Sequence, residues 1–129
     1  MAKKVLIVDD EPDAIDFTRE VLEGEGYIVV TAPDGSKGLA AMRKENPDLV
    51  VLDVQMPEMD GFEVFQQMKK DESLKAIPVV MLTGIKEKVG IGFSADEMKT
   101  FMGERPNDYI EKPIDPAKLS ESVNKILGS

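Results

Sequence analysis

The sequence predicts an α/β fold in which a parallel sheet carries helices on both faces. Short apolar segments typical of strands alternate with segments that have the spacing of amphipathic helices, five of each. Unbroken apolar runs such as residues 5–8 and 49–52 are typical of strands buried on both sides, as in a parallel sheet. The chain of 129 residues can bury one hydrophobic core, so we expect a single domain over residues 1–129.

The five predicted strands are apolar or β-branched and are followed by turn-forming or charged residues. They cover residues 5–8, 27–32, 49–53, 77–83 and 108–110. Between them, helical spacing predicts helices over about residues 12–22, 36–46, 61–70 and 94–102, and a last helix, with apolar positions from Leu119 to Leu127, that Gly128 ends. The glycines of residues 84–93 predict a long flexible loop there.

Composition excludes several classes of function. The net charge is −9, so a nucleic-acid backbone would be repelled and we expect no direct nucleic-acid binding. No apolar run approaches the roughly 18 residues that a membrane span needs. The chain has no Cys, which rules out disulfides and thiolate metal sites and suits a reducing cytoplasm. It also has no His, which removes the commonest general base and metal ligand.

Charged and polar side chains stand at the carboxyl ends of the predicted strands, where open α/β sheets bind their ligands. Asp9 and Asp10 follow the first strand, Asp53 ends the third, Thr83 ends the fourth and Lys112 follows the fifth. Two carboxylates ~4 Å apart repel each other by about 4 kcal/mol at an effective dielectric of ~20. Lys112 offsets part of that repulsion, and the remainder suits a divalent cation with oxygen ligands, Mg²⁺ or Mn²⁺.

Four motifs in this order resemble the receiver domain of two-component response regulators, over essentially the whole chain. The first is Val8-Asp9-Asp10-Glu11, and the second runs from Leu52 and Asp53 through Met56-Pro57 to Met59-Asp60-Gly61. The third is Val79-Val80-Met81-Leu82-Thr83-Gly84, and the fourth is Asp108-Tyr109-Ile110-Glu111-Lys112-Pro113. The resemblance implies a flavodoxin-like (CheY-like) sheet with the strand order 2-1-3-4-5.

The resemblance also implies a role for each site residue. Asp53 would accept a phosphoryl group from the phosphohistidine of a sensor histidine kinase or phosphotransfer protein. Asp10 would bind Mg²⁺ directly and Asp9 through water, and the backbone carbonyl of Gln55 would be a further ligand. The implied contacts to the phosphoryl oxygens come from Thr83, Gly84 and Lys112. Such a domain is a regulatory phosphoacceptor that assists its own phosphorylation and dephosphorylation, not an enzyme.

Receivers switch a partner surface, and the resemblance places that surface here at the fourth helix and fifth strand, near residues 95–110. Thr83 would move toward the phosphoryl group and Tyr109 would turn inward, while a cis peptide bond before Pro113 would aim Lys112 into the site. Between Thr83 and Lys112 this chain is longer than typical receivers by roughly seven residues, about two helical turns. No effector domain follows the last helix, so we expect a stand-alone regulator or an excised receiver with an unknown downstream effector.

Three other functions compete with this interpretation. A phosphatase of the haloacid-dehalogenase type also uses a strand-end Asp, but it needs a second Asp two residues on, where this chain has Gln55. A flavodoxin-like flavin carrier needs a hydroxyl-rich phosphate loop after the first strand, where this chain has Asp9, Asp10 and Glu11. The third alternative is a receiver that is never phosphorylated and serves only as an interaction module.

Overall fold

The structure is a computed structural model that describes residues 2–56, 58–84 and 106–128. The helices and strands within these residues are β1 (Lys4–Val8), α1 (Pro12–Gly24), β2 (Ile28–Ala32), α2 (Gly35–Glu45), β3 (Leu49–Asp53), α3 (Gly61–Lys70), β4 (Val79–Gly84), β5 (Asp108–Lys112) and α4 (Pro116–Leu127). The helix predicted over residues 94–102 lies outside this described part of the chain, and so does the loop predicted over residues 84–93 except for Gly84.

The five strands form one sheet in the order β2-β1-β3-β4-β5, and every neighbouring pair is parallel. The predicted fold class and strand order are therefore confirmed. Because the strands are parallel, their carboxyl ends share one edge of the sheet, and this edge carries the end of β1 next to the end of β3.

Alternate residues of the central strands divide the core into two layers. Val5 and Ile7 of β1 pack with side chains of α1 and α4 on one face of the sheet. Leu6 and Val8 pack with side chains of α2 and α3 on the other face. All four are fully buried, which explains why β1 is an unbroken apolar run instead of an alternating one.

An aspartate caps the start of three of the described helices. Asp34, Asp60 and Asp115 precede α2, α3 and α4, and each side chain accepts a hydrogen bond from backbone N–H groups of the first turn. These bonds satisfy donors that a helix start otherwise leaves unpaired. They also fix the loops that leave β2, β3 and β5, which all lie at the carboxyl edge of the sheet.

Several predicted boundaries are off by one to three residues. The fourth strand begins at Val79 instead of Ile77, because the Ile77 N–H closes a turn onto the carbonyl of Leu74 and Pro78 has no N–H for a strand ladder. Gly84, predicted to open a loop, is instead the last residue of β4 and pairs with Lys112 of β5.

The observed bounds of β2 and β5 also differ from the predicted bounds by one or two residues. Tyr27 precedes β2 because its N–H donates to the carbonyl of Leu22 at the end of α1. β5 extends to Lys112, two residues beyond the predicted end.

Among the described residues, no helix is both long enough and apolar enough to cross a membrane.

Candidate functional site

Three charged side chains meet at the carboxyl edge of the sheet. The Lys112 Nζ atom lies 3.2 Å from Asp53 Oδ1 and 3.5 Å from Asp9 Oδ2. Asp9 directly follows β1 and is completely buried, while Asp53 is the last residue of β3 and is 2% exposed. The sequence-based expectation that these residues share one pocket matches this geometry.

Asp10 adds a third carboxylate at the mouth of the same pocket. Carboxylate oxygens of Asp9, Asp10 and Asp53 all lie within 4.8 Å of one another, and Asp10 is exposed to solvent. Three hard oxygen donors around one point, one of them open to water, fit a small divalent cation such as Mg²⁺, which retains several waters of its own. Gln55, whose backbone carbonyl is a candidate fourth ligand, lies in the loop two residues after Asp53.

Glu11, to which the sequence motifs assigned no role in the site, also contributes to the electrostatics of this pocket. Its side chain is 68% exposed, but Glu11 Oε1 lies 3.7 Å from Lys112 Nζ. Its backbone N–H also donates to Asp9 Oδ1 at 3.0 Å, which orients the Asp9 carboxylate. The signal for this role was present in the sequence, since Glu11 directly follows the acidic pair, but acidic side chains at a strand end are usually solvated.

Burial and crowding change the protonation equilibria of two groups. Burial beside the Asp9 carboxylate raises the pKa of Asp53 from 3.8 to about 7, even though the Lys112 ammonium pulls it down. Burial alone would lower the pKa of Lys112, but the carboxylates of Asp53 and Asp9 outweigh it and the pKa of Lys112 is raised. The single ammonium of Lys112 therefore does not balance the carboxylates of the pocket, so a bound cation would stabilise it.

The loop that leaves β3 is held from two sides at Val54. The Val54 N–H donates to the carbonyl of Leu82 in β4 at 2.9 Å, and the Val54 carbonyl accepts from the Gly61 N–H at the start of α3 at 2.8 Å. Asp60 caps this helix through a 2.9 Å bond from the Glu63 N–H. Sequence patterns do not reveal the contact between residues 54 and 61, because it depends on how α3 returns toward the sheet.

The remaining candidate residues lie on β4 and β5. Thr83 is 1% exposed at the end of β4, and the next residue, Gly84, pairs with Lys112. Tyr109 pairs with Met81, two residues before Thr83, and packs half-buried against the core layer of α2 and α3. The peptide bond between Lys112 and Pro113 is cis, the isomer that the resemblance implies.

Comparison with known proteins identifies the family. The sequence model of the response regulator receiver domain matches residues 5–124. The alkaline phosphatase synthesis transcriptional regulatory protein PhoP of Bacillus subtilis is 37% identical over 98% of the chain. The chain spans 49% of PhoP, about half the length of that relative. Protein PilH of Pseudomonas aeruginosa is 35% identical over 96% of the chain and 97% of its own length.

A solved structure agrees with this family assignment. The CheY-like response regulator receiver domain protein of Methanospirillum hungatei superposes with a TM-score of 0.82 and 30% identity, over 99% of this chain and 95% of that one. The haloacid-dehalogenase and flavin-carrier interpretations are not supported, since the family model and the solved structure are both of response regulator receiver domains. The chain belongs to the response regulator receiver domain family, the phosphoacceptor signalling domains of two-component systems.

Proposed function

We propose that Asp53 is the phosphoacceptor of this domain and that the donor is the phosphohistidine of a sensor histidine kinase or phosphotransfer protein. The observation that carries the proposal is the placement of Asp53, a buried carboxylate 3.2 Å from Lys112 Nζ within a cluster of acidic oxygens. A buried acid at the carboxyl edge of a parallel sheet has few structural reasons to be there. Its place suits a nucleophile held ready for an incoming phosphoryl group.

In the proposed step an Asp53 carboxylate oxygen attacks phosphorus, a P–O bond forms, and the P–N bond to the donor imidazole breaks. In this proposal Lys112 then pairs with a phosphoryl oxygen, and the Thr83 hydroxyl and the Gly84 backbone contact other phosphoryl oxygens. Phosphoryl transfer depends mainly on positioning and on neutralising charge on the equatorial oxygens, which these groups supply. The domain is thus a regulatory phosphoacceptor that assists its own phosphorylation and dephosphorylation.

Asp9, Asp10, Asp53 and the Gln55 carbonyl are the proposed holders of Mg²⁺, or of Mn²⁺ in its place. The bound ion supplies positive charge for the phosphoryl oxygens. Support comes from the donor set, since every candidate ligand is a hard oxygen and Lys112 alone does not balance the surrounding carboxylates.

The proposed output is a switch that runs from Thr83 to Tyr109. Both residues lie on neighbouring strands, with Tyr109 paired to a residue two positions before Thr83, so movement of one changes the space open to the other. Phosphorylation then favours an inward Tyr109 that is already sampled beforehand. The proposed partner surface, near residues 95–110, falls largely outside the described part of the chain. The downstream effector is not identified.

The experiment that tests the proposed function is intact mass analysis after incubation with acetyl phosphate. Wild-type protein is expected to gain the mass of one phosphoryl group when Mg²⁺ is present and to gain none when Mg²⁺ is chelated. An unmodified protein under both conditions would show that this receiver is an interaction module only. That outcome would contradict the proposal directly.

The metal part of the proposal has its own test in calorimetry. Asp10→Ala removes the most accessible ligand and is expected to abolish measurable Mg²⁺ binding, while wild-type protein is expected to bind the ion and to gain stability from it. Asp13→Ala, which removes an exposed acid in the first turn of α1, is the matched control and should leave Mg²⁺ binding unchanged. Undiminished binding by Asp10→Ala would contradict the ligand assignment.

A further inference from the structure

We propose that Gly61 is a positioning residue for the Asp53 site. Its missing side chain lets the start of α3 press directly on the backbone that carries Asp53 and Gln55. The inference rests on the proposed function of Asp53. It adds a residue that touches neither metal nor phosphoryl group but sets the geometry of the groups that do.

The first support is the pair of hydrogen bonds at Val54. This residue stands between Asp53 and Gln55, and both its N–H and its carbonyl are engaged, by Leu82 of β4 and by Gly61. These two hydrogen bonds hold the peptide unit before Val54 and the peptide unit after it, so neither can rotate freely. The direction of the Asp53 side chain and of the Gln55 carbonyl is therefore set in part by where the Gly61 N–H lies.

The second support is the closeness of the approach. A Cβ atom placed on Gly61 would overlap the Asp53 carbonyl oxygen, would lie 2.8 Å from Val54 Cα and would lie 3.0 Å from the Asp53 carbonyl carbon. These obstacles are all backbone atoms, so no side-chain rotation can relieve the overlap. Any side chain at residue 61 must push α3 away from Asp53 or displace the strand end itself.

Gly35 provides a comparison within the same chain. It is the first residue of α2 and follows the capping Asp34, just as Gly61 is the first residue of α3 and follows the capping Asp60. A Cβ atom on Gly35 would lie 2.7 Å from Val64 Cγ2 and 3.0 Å from the Met59 carbonyl oxygen. The closest overlap there is with a core side chain, not with the backbone of the acidic pocket.

The test compares Gly61→Ala with Gly35→Ala in the full chain. Both variants lose thermal stability, because both create an overlap under 3 Å. Only Gly61→Ala should weaken Mg²⁺ binding in calorimetry, by about tenfold, as is typical when groups that orient metal ligands are disturbed. In Mg²⁺-free protein the amide hydrogens of residues 54 and 61 should also exchange faster in Gly61→Ala than in Gly35→Ala.

A second pair of variants removes helix caps instead of adding a side chain. This pair tests the inference even if Gly61→Ala does not fold. Asp60→Ala removes the cap of α3 and Asp34→Ala the cap of α2, each by deleting one acceptor of a first-turn N–H. Weaker Mg²⁺ binding by Asp60→Ala but not by Asp34→Ala supports the inference.

Wild-type Mg²⁺ affinity in a folded Gly61→Ala variant would overturn the inference, and so would equal effects of the two cap variants. Failure of this inference is distinct from failure of the proposed function. If wild-type protein binds Mg²⁺ and accepts phosphoryl groups but Gly61→Ala binds Mg²⁺ equally well, only the role of Gly61 is wrong. If wild-type protein does neither, the proposed function fails and this inference fails with it.

Discussion

Replacing Asp53 by Asn should stabilise the Mg²⁺-free protein, and the gain should grow as the pH rises. The folded state raises the pKa of Asp53 from 3.8 to about 7, so it holds this proton more tightly than the unfolded chain does. The free energy of unfolding of the wild-type protein therefore falls as the pH rises from the lower of these pKa values to the higher one. Above the higher value the whole loss of stability caused by the Asp53 charge is present. The asparagine side chain of the variant carries no charge and avoids this loss.

The size of the effect follows from the shift. Three pKa units correspond to roughly 4 kcal/mol of stability, which is the expected advantage of Asp53→Asn at about pH 8. At about pH 5 the folded wild type already holds the proton, and the advantage falls to roughly 1.5 kcal/mol. Added Mg²⁺ should narrow the difference, because it stabilises the wild-type carboxylate cluster.

Urea denaturation with a chelator present, at several pH values, measures this advantage. Glu20→Gln removes an exposed carboxylate from α1 and is the control, expected to change stability little and without the same pH dependence. An advantage of Asp53→Asn that is the same at acidic and basic pH would refute the reasoning. A wild type that is the more stable protein at about pH 8 would refute it as well.

Three further variants test other parts of the structure. Lys112→Ala leaves the buried carboxylates of Asp9 and Asp53 without the ammonium group that pairs with them. It should lower the free energy of unfolding of the Mg²⁺-free protein at neutral pH by about 3 kcal/mol, and added Mg²⁺ should restore part of that loss. Thr18→Val should raise stability by about 1 kcal/mol in thermal denaturation, because Thr18 Oγ1 is buried without a hydrogen-bond partner among the described residues; no gain would mean that the hydroxyl is satisfied. Gly128→Ala should cost about 1 kcal/mol in the same assay, since Gly128 ends α4 in the left-handed conformation with φ of 74°, and an unchanged melting temperature would contradict that interpretation.

The sheet was accessible to prediction because its three central strands, β1, β3 and β4, are buried on both faces. An unbroken apolar run such as residues 5–8 indicates a buried strand in a chain that alternates strands and helices. The site followed from the same logic, since residues at the ends of parallel strands must share an edge. Asp9, Asp53 and Lys112 could thus be placed together although more than fifty positions separate Asp53 from Lys112.

What sequence patterns could not supply were contacts that depend on the path of a loop or on one side-chain conformation. The hydrogen bond from Gly61 to Val54 arises only once α3 has folded back toward the sheet. The approach of Glu11 to Lys112 depends on how an exposed acid orients next to a buried one. The start of β4 was misplaced because an apolar Ile77 looks like a strand residue, whereas it closes a turn just ahead of Pro78.

The most direct test of the central proposal is to identify which carboxylate carries the phosphoryl group. Protein treated with acetyl phosphate and Mg²⁺ can be reduced with borohydride, which converts an aspartyl phosphate into homoserine, and then digested for peptide mass analysis. The proposal predicts homoserine at position 53, and none at positions 9 and 10, although all three acids lie within one cluster. Homoserine at position 9 or 10, or a phosphoryl adduct that leaves position 53 unconverted, would contradict it.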